Sequence, residues 1–153
     1  MANLPIPRRK THGHLGAGYS AQVRVIDTVI NLASDVTMGT ATDVIQIATL
    51  KGGSVIVAAS VQQVTAGTGT GTLALRSGTT ALTGTLTSTD AVDTFVSSTA
   101  AALPRIVPVA GEELNLLGAT AVRTDGKIRV VAVIVEGYRT PVESGIAPRD
   151  TSL

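Results

Sequence analysis

The chain has no cysteine and no tryptophan, one phenylalanine (Phe95) and two tyrosines (Tyr19 and Tyr138). Without cysteine there is no disulfide framework and no thiol chemistry, and folding in a reducing compartment is compatible. With three aromatic rings, any core must be built from aliphatic side chains. Charge is sparse as well, at 15% of residues with a formal net of +1. No global field therefore draws the protein to nucleic acid or to a membrane surface. Long apolar runs are also missing: residues 55–59 and 130–135 fall far short of the ~20 residues that a bilayer-spanning helix needs. The opening residues place Arg8, Arg9 and Lys10 after Pro5 and Pro7, and no apolar segment follows. That order is not a signal peptide, so the expectation is a protein made and used without export across a membrane.

What is present favours strands. Threonine and glycine dominate beside valine, isoleucine, leucine and alanine, and the chain carries 16 glycines. β-Branched residues fit a pleated surface, and glycine fits tight turns. At 153 residues the length suits one domain with tails.

Residues 127–138, Lys-Ile-Arg-Val-Val-Ala-Val-Ile-Val-Glu-Gly-Tyr, organise the rest. Side chains alternate across a strand, so Ile128, Val130, Ala132 and Ile134 share one face. The opposite face begins with Lys127 and Arg129 and then turns apolar at Val131, Val133 and Val135. A sandwich core needs only one of these faces. The other must meet a loop, a chain terminus or a second subunit, and these three valines are the expected subunit interface.

In chain order, residues 1–18 read as an extended basic arm, because Pro5 and Pro7 resist helix and no acid precedes Asp27. Leu4, Ile6, Arg8, Arg9 and Lys10 are the residues expected to dock it on a partner, against the alternative of a solvated terminus. From Tyr19 the pattern becomes strand. Its apolar phase flips after Val25, which predicts a bulge or a strand passing between sheets. Residues 44–50 and 54–64 read as two strands of a hairpin through Lys51-Gly52-Gly53, with Val55, Val57, Ala59 and Val61 inward. The glycine-rich run 66–71 lacks the spacing and following lysine of a phosphate loop, and reads as a flexible hairpin loop. Leu73 and Leu75 then point inward on a short strand. Further strands are expected at 92–96, 106–109 and 114–117, the second confined to an edge by Pro104 and Pro108. Asp125-Gly126 carries a type I′ hairpin signature. Residues 139–153 form a second extended tail. The expected fold is therefore all-β, an antiparallel sandwich over residues 19–138, a jelly roll of eight or nine strands.

Chemistry is thin. His12 and His14, the two histidines, lie on the arm without further ligands, and an arm cannot hold a catalytic histidine in place. Glu112 and Glu113 alternate along a strand, which points their carboxylates apart and leaves them in a solvated turn. Single-stranded nucleic-acid sites use aromatic platforms among basic residues, and none occurs here. The expectation is no enzyme, no cofactor, no metal and no specific nucleic acid.

Two segments then stand out together: Thr-Asp-Val-Ile-Gln-Ile (42–47) with Val-Ile-Val-Ala-Ala-Ser-Val-Gln-Gln-Val-Thr-Ala (55–66). With Gly-Thr-Leu-Ala-Leu-Arg-Ser-Gly (71–78) and the closing residues 126–135, they resemble the jelly-roll decoration, or cement, proteins of tailed-bacteriophage capsids. The resemblance spans about residues 42–136. It implies a noncatalytic homo-oligomer, often a trimer, bound outside the head and clamping neighbouring major capsid subunits. Such a protein resides in the virion and passes through the host cytoplasm during assembly. The rival expectations are a receptor- or carbohydrate-binding head or fibre module, which the scarcity of aromatics disfavours, and a tail or neck structural protein.

Overall fold

The computed structural model describes residues 22–36, 40 and 42–136. Among these there is no helix. Ten strands follow one another: β1 (Gln22–Asn31), β2 (Val44–Leu50), β3 (Val55–Thr65), β4 (Thr72–Ser77), β5 (Thr80–Ala81), β6 (Leu86–Thr87), β7 (Phe95–Ser97), β8 (Arg105–Ile106), β9 (Glu112–Ala119) and β10 (Lys127–Glu136). They form two five-stranded antiparallel sheets. Sheet A runs β1-β10-β3-β7, with β8 also on β3; sheet B runs β2-β9-β4-β5, with β6 also on β4. First and last strands lie side by side, and the connections repeatedly carry the chain from one sheet to the other. This is the jelly-roll arrangement. The count exceeds eight or nine because β5, β6 and β8 are two-residue pieces.

Three turns with hairpin chemistry are crossovers instead. Lys51-Gly52-Gly53 links β2 of sheet B to β3 of sheet A, and Asp125-Gly126 lies between β9 of sheet B and β10 of sheet A. Gly126 has φ 87°, and a Cβ there would sit 2.8 Å from the Thr65 carbonyl oxygen, so glycine is required for both reasons. The 66–71 run is a third crossover, from β3 to β4, and it is strapped rather than loose. Asp125 accepts from the Thr68 N–H at 2.9 Å and from its hydroxyl at 2.7 Å. Ser88 donates to the Thr68 and Gly69 carbonyls and accepts from the Gly67 N–H. The tight hairpin joins β4 to β5 through Gly78, at φ 55°, and Thr79.

Ile128, Val130, Ala132 and Ile134 are fully buried, as their alternation predicts. They pack with Ile56, Ala59, Val61, Leu73, Leu75, Leu82, Leu86, Leu114 and Leu116 in one aliphatic core. On β3 the phase differs from expectation. Val133 faces Ala58 and Ile134 faces Ile56, so Val57 is the extra residue of a bulge. Ile56 therefore points inward, while Val55 and Val57 point outward. On β1 the reverse holds: pairing with β10 is continuous from Gln22 to Asn31, and the phase flip marks neither a bulge nor a change of sheet. The apolar residues simply occupy both faces, with Ile26 and Ile30 inward and Val23, Val25 and Val29 outward.

Polar ties join the sheets at the margins of this core. Arg105 and Ser77 both donate to Glu112, which is thus a part-buried cross-sheet anchor rather than a residue of a solvated turn. Arg24 reaches Glu136 at 3.1 Å and the Thr49 carbonyl at 3.3 Å. Arg123 is 1% exposed and donates to the Gln63 side-chain oxygen at 2.6 Å.

Candidate functional site

The outer face of sheet A is the surface on which this sequence spends apolar residues without burying them. Register places its side chains in four transverse rows. Val23, Val135, Val55 and Ile106 form the first, across β1, β10, β3 and β8. Val25, Val133 and Ala58 form the second, with Val57 protruding from the bulge beside Ala58. Asp27, Val131, Ser60 and Ser97 form the third, and Val29, Arg129, Gln62 and Phe95 the fourth. The face is thus wholly apolar at the end where β1 begins and β10 finishes, and it becomes polar along the strands.

Exposure confirms that this is surface. Val23 is 66% exposed, Val25 60%, Phe95 60% and Ile106 69%. Scattered exposed valines need no explanation, but a contiguous apolar patch on a soluble domain marks an interaction site. Sheet B offers the contrast. Its outward rows carry Gln46, Asn115 and Arg76, then Thr49 and Glu113, then Thr72, Ala119 and Thr87, with an apolar row only at Val44, Leu117 and Ala74. The outer face of sheet B is thus mostly polar, and that of sheet A is apolar over its first two rows.

The polar end of the sheet A face is ordered by its own charges. Arg129 donates from Nε to Asp27 Oδ1 at 2.7 Å and from Nη2 to Oδ2 at 2.5 Å. This fork holds the Asp27 carboxyl below its usual range, mainly through the hydrogen bonds, and raises Arg129. Both side chains remain nearly half exposed, so the pair adds little to stability and chiefly fixes orientation. With Val29, Gln62, Val64 and Asp93 they line a surface depression of about 520 Å³. Gln62 donates to Asp93 on its floor.

Val131, Val133 and Val135 lie at the centre of this face, each half-buried by its neighbours. The larger exposed contribution comes from Val23, Val25, Val29, Phe95 and Ile106, which the sequence reading did not single out. Two signals could have flagged three of them. Val23 and Val25 precede the phase flip on β1, and Phe95, the one phenylalanine, alternates out of phase with Val96. Leu4, Ile6, Arg8, Arg9, Lys10, His12 and His14 lie outside the described residues. Glu112 and Glu113 point to opposite faces: Glu112 binds Arg105, whereas Glu113 accepts from Gln46 at 3.2 Å on the outer face of sheet B. Among the described residues no group of three or more His, Asp or Glu side chains is placed to hold a metal ion.

No protein-family model matches the chain, and no curated protein matches it. Two solved structures are similar. A chain of the Cyanophage Pam1 capsid asymmetric unit superposes with a TM-score of 0.49 at 17% identity, covering 77% of this chain and 87% of that one. A chain of the capsid of Ralstonia phage GP4 gives 0.45 at 14% identity, covering 80% and 88%. Both likenesses are too distant to identify a role.

Proposed function

We propose that the protein is a noncatalytic structural component of a tailed-bacteriophage head. It binds the outside of the shell as a homo-oligomer, a trimer, and clamps neighbouring major capsid subunits. The observation that carries this reading is the apolar outer face of sheet A, centred on Val131, Val133 and Val135. A core without tryptophan gains stability by burying further aliphatic surface between subunits. Each ~100 Å² of apolar area removed from water is worth about 2.5 kcal/mol before ordering costs. The sequence resemblance over residues 42–136 supports the same role.

In this reading, residues 19–138 form the folded body, and residues 1–18 and 139–153 extend from it as arms. Gln22 pairs with Glu136, so the first and last described residues lie side by side at the apolar end of the sheet A face. Leu4 and Ile6 supply the arm's apolar anchors, and Arg8, Arg9 and Lys10 meet acidic groups on a capsid subunit or a neighbouring protomer. Exposed ion pairs return at most ~1 kcal/mol each, so the anchors must contribute. No membrane, cofactor or specific nucleic acid enters.

The test is co-sedimentation of the purified protein with phage heads that lack it, followed by thermal release of their DNA. Saturable binding that raises the release temperature is the expected result. Failure to bind any such head, with the protein folded, would overturn the reading.

A further inference from the structure

β1 is an edge strand ten residues long, and among the described residues only β10 pairs with it. Long apolar edges invite strand addition, and natural sheets usually blunt them with lysine, proline or bulges. β1 has no lysine or proline and pairs with β10 without a bulge; its one inward-pointing charge, Arg24, sits near the start of the strand, tied to Glu136 and the Thr49 carbonyl. Among the described residues the sandwich is also open beside it. Between the edge of sheet A at β1 and the edge of sheet B at β2 lies a groove of about 260 Å³, lined by Thr28, Ile30, Val36, Ile45 and Ile47 together with the polar Asp35 and Gln46. A strand laid along β1 would therefore find backbone partners on one side and an apolar slot for its inward side chains.

The sequence holds one segment with matching chemistry. In Leu4-Pro5-Ile6-Pro7-Arg8 the prolines alternate. Residues two apart in a strand share both a side-chain face and a hydrogen-bonding edge. Leu4, Ile6 and Arg8 can thus present N–H groups to β1 and side chains to the groove. Pro5 and Pro7, which have no N–H, would occupy the far edge and close it to further strands. The tail at 139–153 has no such alternation and carries both signs of charge.

We infer that the groove between β1 and β2 receives the N-terminal arm of a second copy, residues 4–8 adding to sheet A parallel to β1. Charge sets the direction. Parallel pairing with Leu4 and Ile6 beside Thr28 and Ile30 brings Arg8 to Asp35. The Asp35 carboxylate is held ionised by the Asn31 N–H, the Ser34 hydroxyl and the nearby Lys127. A parallel addition from the same chain would need a crossover of about a dozen residues along the whole of β1, nearly all that separates Arg8 from Gln22. A second copy has no such constraint. The inference rests on the homo-oligomeric reading and specifies which surface receives the arm.

The absence of cysteine makes the test clean. Full-length Ile6→Cys and Val36→Cys proteins, separately tagged and mixed under mild oxidation, should give a disulfide-linked heterodimer. Ile6→Cys with Val92→Cys, an exposed residue far along the chain, should not. In the otherwise native protein, Leu4→Asp with Ile6→Asp should speed hydrogen exchange of β1 amides by about tenfold or more. No heterodimer from the single variants while an Ile6→Cys, Val36→Cys chain links within itself, equal linking to Val92→Cys, or unchanged exchange would overturn the inference. Light scattering on the same samples reports oligomerisation separately, so a dimer or trimer without the arm contact distinguishes this failure from failure of the oligomeric reading.

Discussion

Arg105, on a two-residue edge strand of sheet A, donates from Nη2 to both carboxylate oxygens of Glu112 on sheet B, at 2.6 and 2.7 Å. Ser77 Oγ donates to the same carboxylate at 2.6 Å. Burial alone would push Glu112 up, but the hydrogen bonds from Ser77 and Arg105 and the arginine charge outweigh it and hold the carboxyl below its ordinary range. A depressed folded-state pKa stabilises the fold above the unfolded value of about 4.5 and loses that contribution as pH falls through the folded value. Glu112→Gln should therefore cost about 1–3 kcal/mol at pH 7 and flatten the acid limb of the stability curve. Urea unfolding at pH 7 and at stepwise lower pH measures both effects. Parallel curves for the two proteins would contradict the assignment.

Arg123 makes a second, costlier demand. It is buried with Gln63 as its close side-chain partner, and its Nε has none. Desolvation lowers its pKa, opposed by the charges of Asp125 and Asp90. Arg123→Ala should destabilise by about 3–5 kcal/mol, through lost packing and an orphaned Gln63. Arg123→Met with Gln63→Leu should recover part of that loss, because it removes the stranded Gln63 oxygen, while the Thr65 and Ser88 carbonyls lose the Gln63 amide. Chemical denaturation of the single and double variants forms the cycle that checks it.

The outer face of sheet A predicts a separation of folding from assembly. Val25→Asp changes an exposed side chain, so unfolding stability should move by no more than about 0.5 kcal/mol. Between subunits the same carboxylate would be desolvated without a partner, weakening association by roughly a hundredfold or more. Light scattering at matched concentrations, with a denaturation curve for each protein, reads both quantities. An unchanged oligomer would remove this face from the interface.

Asp125 predicts a local effect. Its carboxylate is held low by the hydrogen bonds from Thr68 and straps the 66–71 crossover. Asp125→Ala should leave the sandwich folded while the Thr68 amide exchanges markedly faster. Exchange measured residue by residue would show whether the loop alone responds.

These details differ in how far the sequence reveals them. The strand at residues 44–50 and the buried face of β10 are legible because alternation is a local property. Which sheet a strand joins is not local. Lys51-Gly52-Gly53 and Asp125-Gly126 supply the backbone freedom that hairpins use, yet crossovers between sheets need the same freedom. The Val57 bulge inverts the inward set at the start of β3, and only the partner strand reveals it. Arg123 looks like an ordinary loop arginine, since nothing in Val-Arg-Thr announces that Gln63, sixty residues earlier, waits in the core. The candidate face was half legible. Val131, Val133 and Val135 betrayed a strand with two apolar sides, whereas Ile106 joins it only through the pairing of β8 with β3.

Electron cryomicroscopy of the phage particle to which the proposed function assigns this protein tests the central claim most directly. The account predicts density for the jelly roll on the outer shell, with Val23, Val25, Val133, Val135 and Ile106 covered by a neighbouring copy or by a major capsid subunit. Density in which that face of sheet A looks out to solvent, with contacts made through sheet B instead, would contradict it.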